Sequence, residues 1–409
     1  MVEFKHLPGE AWVDAPLWGK LVGLSEGEVV ELSAELKDDF GQTWRSRASY
    51  PVTAGEVDLA GGVPTAAPWT GSDAYGLYWS MMRQESEPSP FLTDPGTVFL
   101  NALHPTVTAR VGGEIVAQGE VERRYLFRCA KEEWRGDIVA NLFVPTFRDR
   151  YPAALVIGGS GGGFAWSNQV ASLIAASGRA ALAVAYFDWQ KAYGLPDSLT
   201  EISLELFTTA LDRLLADPRI IADDLAVVGF SRGSEAALLT ACRCPDVAKV
   251  VAYAPSAYVW EAARMNPTAS PRSSWTWQGK PLPFVALEPD EAFYRDYDKT
   301  FLKKAHEIAL AQPIDPAARI PIEQINADLL LLSGAKDSVW NSAEMAETLL
   351  KRLHGAGKSI QGKHLSFEGA GHTLLVPGLP AERSDGETAA NAYADQKSWA
   401  ALRAHLGLS

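Results

Sequence analysis

Cysteine is scarce in this chain, with three residues, Cys129, Cys242 and Cys244, in 409. The number is odd, and Cys242 and Cys244 are too close for an ordinary bridge. Neither makes a zinc pattern with the scattered histidines, so a disulfide scaffold and a zinc site are excluded and free thiols in a reducing compartment are expected. Positive charge is also short. Thirty-seven Lys and Arg stand against 50 Asp and Glu, a net charge of −13. That balance argues against a nucleic-acid or anionic-membrane binder, because either needs a basic face. Long apolar runs are missing too. The opening "MVEFKHLPGEAW" has no apolar h-region, and no window approaches the length that spans a bilayer. The closing "GLS" is neither a peroxisomal address nor a lipidation box. Repeats and low-complexity segments are absent. The expectation is a cytoplasmic protein with no nucleic-acid partner and no membrane insertion.

The chain is long enough that two domains are the natural prior. Its 47% hydrophobic and 21% charged residues are ordinary globular usage, which sets disorder aside, and its 13 tryptophans are numerous enough to line a cleft as well as a core. Up to about residue 135 the sequence runs in short alternating segments. "VVELSAEL" and "TWRSRASY" flank "KDDFGQ" as a hairpin, and "TVTARVGGEIVAQGEV" sets Gly112-Gly113 between two alternating runs, a pair suited to a type I′ turn. Residues 1–135 therefore predict an immunoglobulin-like β-sandwich.

Beyond "RGDIVANLFVPTFRDRYP" the texture changes to short apolar runs alternating with longer amphipathic ones. "AALVIGG", "AALAVAYF", "LAVVGF", "KVVAYAP", "ADLLLLSG" and "KHLSFEG" predict strands, with helices between them. A capping box, Ser198 to Glu201, predicts the start of one helix. The alternation predicts an α/β fold with a parallel, doubly wound sheet over residues 136–409. Residues 256–322 interrupt the rhythm, and an insertion there is expected to sit over the strand ends as a lid.

At Gly229-Phe230-Ser231-Arg232-Gly233 the chain carries G-x-S-x-G between a predicted buried strand and a helix. The glycines leave room for a sharp turn, and the helix N-terminus favours negative charge near the serine oxygen. A serine hydroxyl needs a base to take its proton. Asp337 in "LLLLSGAKDSVW" and His372 in "FEGAGHTLLVP" follow later strands, in the order serine, acid, histidine. Singly, Ser231 has the ordinary reading of a helix cap, Asp337 of an Asx turn and His372 of a loop histidine; together they predict a catalytic triad, with Asp188 in "YFDW" as the fallback acid.

An acyl-transfer site also needs donors for the developing oxyanion. One is expected in "GGSGGGF", at Gly161 or Gly162, and the other is the amide of Arg232. The loop lacks the Lys-Ser/Thr of a phosphate-binding loop. The Arg232 side chain is open to three readings: a solvated helix-start residue, a salt bridge to Glu235, or a handle for an anionic substrate. Trp260, Trp275 and Trp277 are candidate walls of an acyl pocket, with a core role equally open. No metal and no organic cofactor is expected.

These motifs resemble the acyl-CoA thioesterase / bile acid-CoA:amino acid N-acyltransferase family. The resemblance covers nearly the whole chain. It rests on "ASY…GEVDL" and "YGLYWSM" in the first half, and on "GSGGGF", "FSRGSE", "GAKDSVW", "GAGH" and "ADQKSWAALRAHL" in the second. It implies an N-terminal β-sandwich joined to an α/β-hydrolase domain, with Ser231 as nucleophile, His372 as base and Asp337 as its orienting acid. The amino-acid-conjugating branch carries cysteine at the nucleophile position, so serine implies hydrolysis of an acyl thioester, carried on CoA or on a carrier protein. An acyltransferase, a carboxylesterase or an amidase using the same triad is the alternative. Lys336 and Ser338 stand where the family's thioesterases usually carry an acidic residue and a histidine.

Overall fold

The computed structural model describes residues 1–84, 99–264, 269–287, 299–358 and 360–408. The chain divides into two compact units, one of residues 1–127 with 375–399, the other of residues 128–374 with 400–409.

In the first unit the strands Val29–Lys37 and Thr43–Pro51 form the expected hairpin. They lie within a five-stranded antiparallel sheet that also holds Thr106–Val111, Glu114–Glu120 and the short Met82–Arg83. Burial alternates along Val29–Lys37, which is the mark of a strand with one face in the core. A second antiparallel sheet of three short strands holds Glu3–Lys5, Lys20–Val22 and Glu56–Asp58. The expected boundary at residue 135 shifts for a physical reason. Cys129–Trp134 pairs antiparallel with Val139–Pro145 and so becomes an edge strand of the second unit's sheet.

That sheet has eight strands. Edge to edge they run Cys129–Trp134, Val139–Pro145, Ala180–Ala185, Tyr151–Ile157, Ile220–Phe230, Val247–Tyr253, Asp328–Gly334 and Gly362–Phe367. The first two are antiparallel to their neighbours, and the remaining pairings are parallel. Val139–Pro145 and Ala180–Ala185 are buried at every position, as central strands covered on both sides must be, whereas both edge strands are mostly half-buried or exposed. The order reverses between Tyr151–Ile157 and its neighbour Ile220–Phe230, because the strand that follows Tyr151–Ile157 in sequence pairs on its other side. A crevice opens outside the carboxyl ends of strands at such a switch. The glycine-rich loop leaves one of these strands and Ser231 leaves the other.

Two local expectations change. The Ser198–Glu201 capping box does not open a helix: the helix is Glu205–Leu215, and the Ser198 hydroxyl donates to Thr200 Oγ1. Ile202–Ser203 pairs instead with Trp275–Thr276 as a short strand, so a tertiary ladder overrides the local signal. The 256–322 insertion, expected as a lid, is not a separate layer in its described part. Trp260, Trp275, Ile320 and Ile322 are fully buried in the same core cluster as the sheet. Its residues 265–268 and 288–298 lie outside the described residues.

Candidate active site

The elbow follows from crowding. A Cβ on Gly229 would collide with the carbonyl of Gly233, and a Cβ on Gly233 with the carbonyls of Ile157 and Gly158, so only glycine permits this strand-to-helix turn. Between them Ser231 takes φ +55° and ψ −121°, a strained conformation for a residue with a side chain. It is held there by its own amide, which donates to Tyr253 O at 2.9 Å, and by Ser234 Oγ, which donates to Ser231 O at 2.7 Å. Ser231 precedes the helix Arg232–Ala241 but its hydroxyl makes no cap bond. That oxygen lies 2.9 Å from His372 Nε2 instead.

The loops bearing the acid and the histidine are brought together by backbone. A Cβ on Gly334 would meet the carbonyls of Ala370 and Gly371, and Lys336 N donates to Ala370 O at 2.8 Å. His372 Nδ1 consequently lies 2.9 Å from both carboxylate oxygens of Asp337. Asp337 Oδ1 also accepts from the amides of Val339 at 2.8 Å and Trp340 at 3.1 Å, and Oδ2 accepts from Ser342 Oγ at 2.6 Å. Burial pushes the Asp337 carboxyl up, but His372 and these donors outweigh it and hold the group below the usual carboxylate range. An ionised acid then fixes the tautomer with Nδ1–H toward Asp337, leaving the Nε2 lone pair to accept from the serine. The ring of His372 is packed between Phe230 and Trp340, at centroid distances of 5.4 and 5.5 Å.

Asp188, the fallback acid, is not at this site. It accepts from the amides of Gln190 and Ala192 at 3.1 and 2.7 Å and shapes its own turn. In the glycine-rich loop, Gly159 comes nearest Ser231: a Cβ there would stand 3.2 Å from Ser231 Cβ. Gly162, named from the sequence as a donor, turns its N–H onto Gly159 O at 3.4 Å, while Gly163 N–H donates to Phe187 O at 2.8 Å. Gly161 lies between Gly159 and Gly162 in the same turn. The amide of Arg232 is the first N–H of its helix, a group with no intrahelical acceptor.

The Arg232 side chain is buried, 6% exposed, which removes the solvated reading. It meets Glu235 Oε2 at 3.0 Å, and its other terminal nitrogen donates to Trp260 O at 3.2 Å, to Glu261 O at 3.1 Å and to Ser274 Oγ. Glu235 accepts in turn from Trp275 Nε1 at 2.7 Å and Trp260 N at 3.1 Å. Burial pushes its carboxyl up to about 7 against the pull of Arg232 and both donors. Trp260 and Trp275 are fully buried, so they brace the elbow from the core and do not wall an open pocket. Trp277 is half-buried beneath the Arg243 guanidinium, 5.1 Å from the ring centroid.

Four contributors were not picked out from the sequence: Gly159, Ser342, Trp340 and His306. Trp340 and Ser342 follow Asp337 closely, and the opening of a helix at Ser342 was a usable signal. His306 had none. Carried on the helix Lys299–Leu310, it packs edge-on at 4.4 Å against Trp260 and at 5.5 Å against Trp340, and burial pushes it down to about 4. Among the described residues no group of three His, Cys, Asp or Glu side chains is placed to hold a metal ion, and no helix is long and apolar enough to cross a membrane.

Comparison with known proteins fits this architecture. The chain is 26% identical to mouse "Acyl-coenzyme A thioesterase 2, mitochondrial" over 91% of its length and 79% of the relative's. It is 26% identical to mouse "Acyl-coenzyme A amino acid N-acyltransferase 1" over 93% of its length and 88% of the relative's. Mouse "Peroxisomal succinyl-coenzyme A thioesterase" is also 26% identical, over 91% of this chain and 85% of its own. Residues 14–131 match the model described as "Acyl-CoA thioester hydrolase/BAAT N-terminal region", and residues 202–406 match "BAAT / Acyl-CoA thioester hydrolase C terminal". With that second match spanning half of its length, the chain belongs to the BAAT/acyl-CoA thioester hydrolase family.

Proposed function

We propose that this protein hydrolyses acyl-CoA thioesters through an acyl-serine intermediate on Ser231. The observation that carries the reading is the unbroken chain Ser231 Oγ, His372 Nε2, His372 Nδ1, Asp337, each link 2.9 Å. Ser231 Oγ attacks the thioester carbonyl while Nε2 takes its proton. The tetrahedral oxyanion rests on the amide of Arg232 and an amide of the Gly159–Gly161 segment. The intermediate collapses with cleavage of the C–S bond, and the imidazolium returns its proton to the departing thiolate. His372 next deprotonates a water that attacks the acyl-serine, releasing the carboxylic acid and restoring the serine. Asp337 keeps Nδ1–H in place and balances the transient imidazolium. Thiolate is a good leaving group, so the steps need neither a metal nor an organic cofactor.

The names of the relatives support CoA as the thiol carrier; a carrier protein bearing the same thiol is the finer variant of this substrate. The three free cysteines support the cytoplasm as the compartment. The acyltransferase reading is favoured by the N-acyltransferase relatives. In that reading an amino acid takes the place of water. Rapid-quench mass spectrometry with an acyl-CoA, with and without added glycine, tests both. The thioesterase reading expects an acyl adduct on the peptide holding Ser231 and free acid as product at every glycine concentration. An acyl-glycine product that grows with glycine replaces hydrolysis by transfer, and absence of any adduct under turnover contradicts the acyl-serine.

A further inference from the structure

The elbow helix Arg232–Ala241 carries Ser231 before its first residue, and a separate cavity lies beyond its other end. This cavity encloses about 300 Å³ and is lined by three arginines, Arg243, Arg319 and Arg352, with a single carboxylate, Glu323. Its charged lining therefore carries three positive charges and one negative, a surplus of two, in a chain whose net charge is −13. Surplus cations gathered in one concave place need a physical reason in so acidic a protein.

The pairing inside the cavity leaves donors over. Arg352 donates to both oxygens of Glu323, through Nε and Nη2, each at 2.8 Å. Its remaining nitrogen, Nη1, is buried without a hydrogen-bond partner. Arg243 donates to the helix carbonyl of Leu239 at 2.7 Å and lies over the ring of Trp277, with Glu205 acting on it at longer range. Arg319 is exposed, and among the described residues neither it nor Arg243 has an ion-pair partner. Guanidinium forks match the paired oxygens of phosphate and carboxylate groups, and a partly desolvated fork binds them more tightly than a solvated one. The rest of the wall is apolar, from Leu239, Val259 and Leu282. Convergent polar groups in an apolar concavity are the usual makeup of a small-molecule site.

We propose that this cavity binds a small organic dianion. Its oxygens are held by Arg243 and Arg319, with Arg352 adding its positive charge from the wall, and its carbon skeleton lies against the apolar lining. The site is independent of the catalytic reading, because none of its lining residues belongs to the triad or to the elbow's support.

Calorimetric titration of the full chain with phenyl phosphate at constant ionic strength tests it, with inorganic phosphate and phenylmalonate as companion probes. The site predicts saturable one-to-one binding of phenyl phosphate, tighter than inorganic phosphate because the ring adds apolar contact. Arg319→Gln and Arg243→Gln should each weaken it at least tenfold. Arg319 is exposed, so its variant keeps the fold and the test valid even if Arg243→Gln does not. Binding of phenylmalonate with the same variant dependence extends the ligand class to dicarboxylates; binding of phenyl phosphate alone assigns it to phosphate monoesters. Absence of saturable binding by both phenyl anions overturns the proposal, as does an affinity unchanged in Arg319→Gln.

Discussion

The indole N–H of Trp275 donates to Glu235 Oε1 at 2.7 Å, joining a tryptophan of the 256–322 insertion to the first turn of the elbow helix. Glu235 in turn pairs with Arg232, the residue after Ser231. The insertion thus supports Ser231 from below, through a buried ion pair whose remaining bonds go to backbone, indole and the Ser274 hydroxyl.

Removing the carboxylate from that arrangement leaves a buried guanidinium without its counter-charge. Glu235→Ala should lose about 3–5 kcal/mol of unfolding free energy, the usual cost of breaking one side of a buried pair. Trp275→Phe, which removes only one donor, should lose about 1–3 kcal/mol. Chemical denaturation of the three proteins gives both values, and a Glu235→Ala protein as stable as the parent would show the pair to be dispensable.

Asp337 links activity to acid stability. Asp337→Asn should lower kcat about 10³- to 10⁴-fold, because the amide no longer holds Nδ1–H toward it. Its carboxyl lies below the usual range in the folded state, so between that lowered pKa and the ordinary aspartate value the unfolded chain binds the extra proton. Stability contributed by this group is present above pH about 4 and is lost as pH falls through the folded pKa. The acid limb of the stability profile should therefore be shallower in Asp337→Asn than in the parent; a parallel limb would assign acid unfolding to other groups.

Ser231 trades stability for geometry. Its φ of +55° suits glycine, so Ser231→Gly should abolish turnover while raising stability by about 1 kcal/mol, after the entropy that glycine gains in the unfolded chain is set against the relieved strain. A melting temperature below the parent's would show that the serine hydroxyl stabilises more than the backbone strain costs.

The thiols should be slow to react. Burial pushes Cys242 up to about 12 and Cys244 up to about 11. At pH 8 in native buffer, iodoacetamide should modify both far more slowly than in denaturant, because little thiolate is present. Equal native and denatured rates would place these cysteines at the surface.

Much of this arrangement was legible in the sequence because it depends on short-range rules. Gly229 and Gly233 announce a turn that only glycine permits. Continuous apolar runs mark the central strands, and the order serine, acid, histidine after successive strands follows from the parallel sheet. What the sequence did not disclose depends on long-range pairing. The Ser198–Glu201 box was a sound local signal, defeated by the ladder between Ile202–Ser203 and Trp275–Thr276. Trp260 and Trp275 could be cleft or core on composition alone, and the buried Arg232–Glu235 pair behind them makes them core. His306 became a neighbour of Trp340 only through folding of the insertion.

Free-thiol release from acyl-CoAs of rising chain length, by the parent protein and by Ser231→Ala at matched concentration, tests the central claim most directly. The account predicts release by the parent, a length optimum that reports the acyl pocket, and a fall of at least about 10⁴-fold in the variant. Release by Ser231→Ala at the parental rate would contradict the acyl-serine mechanism.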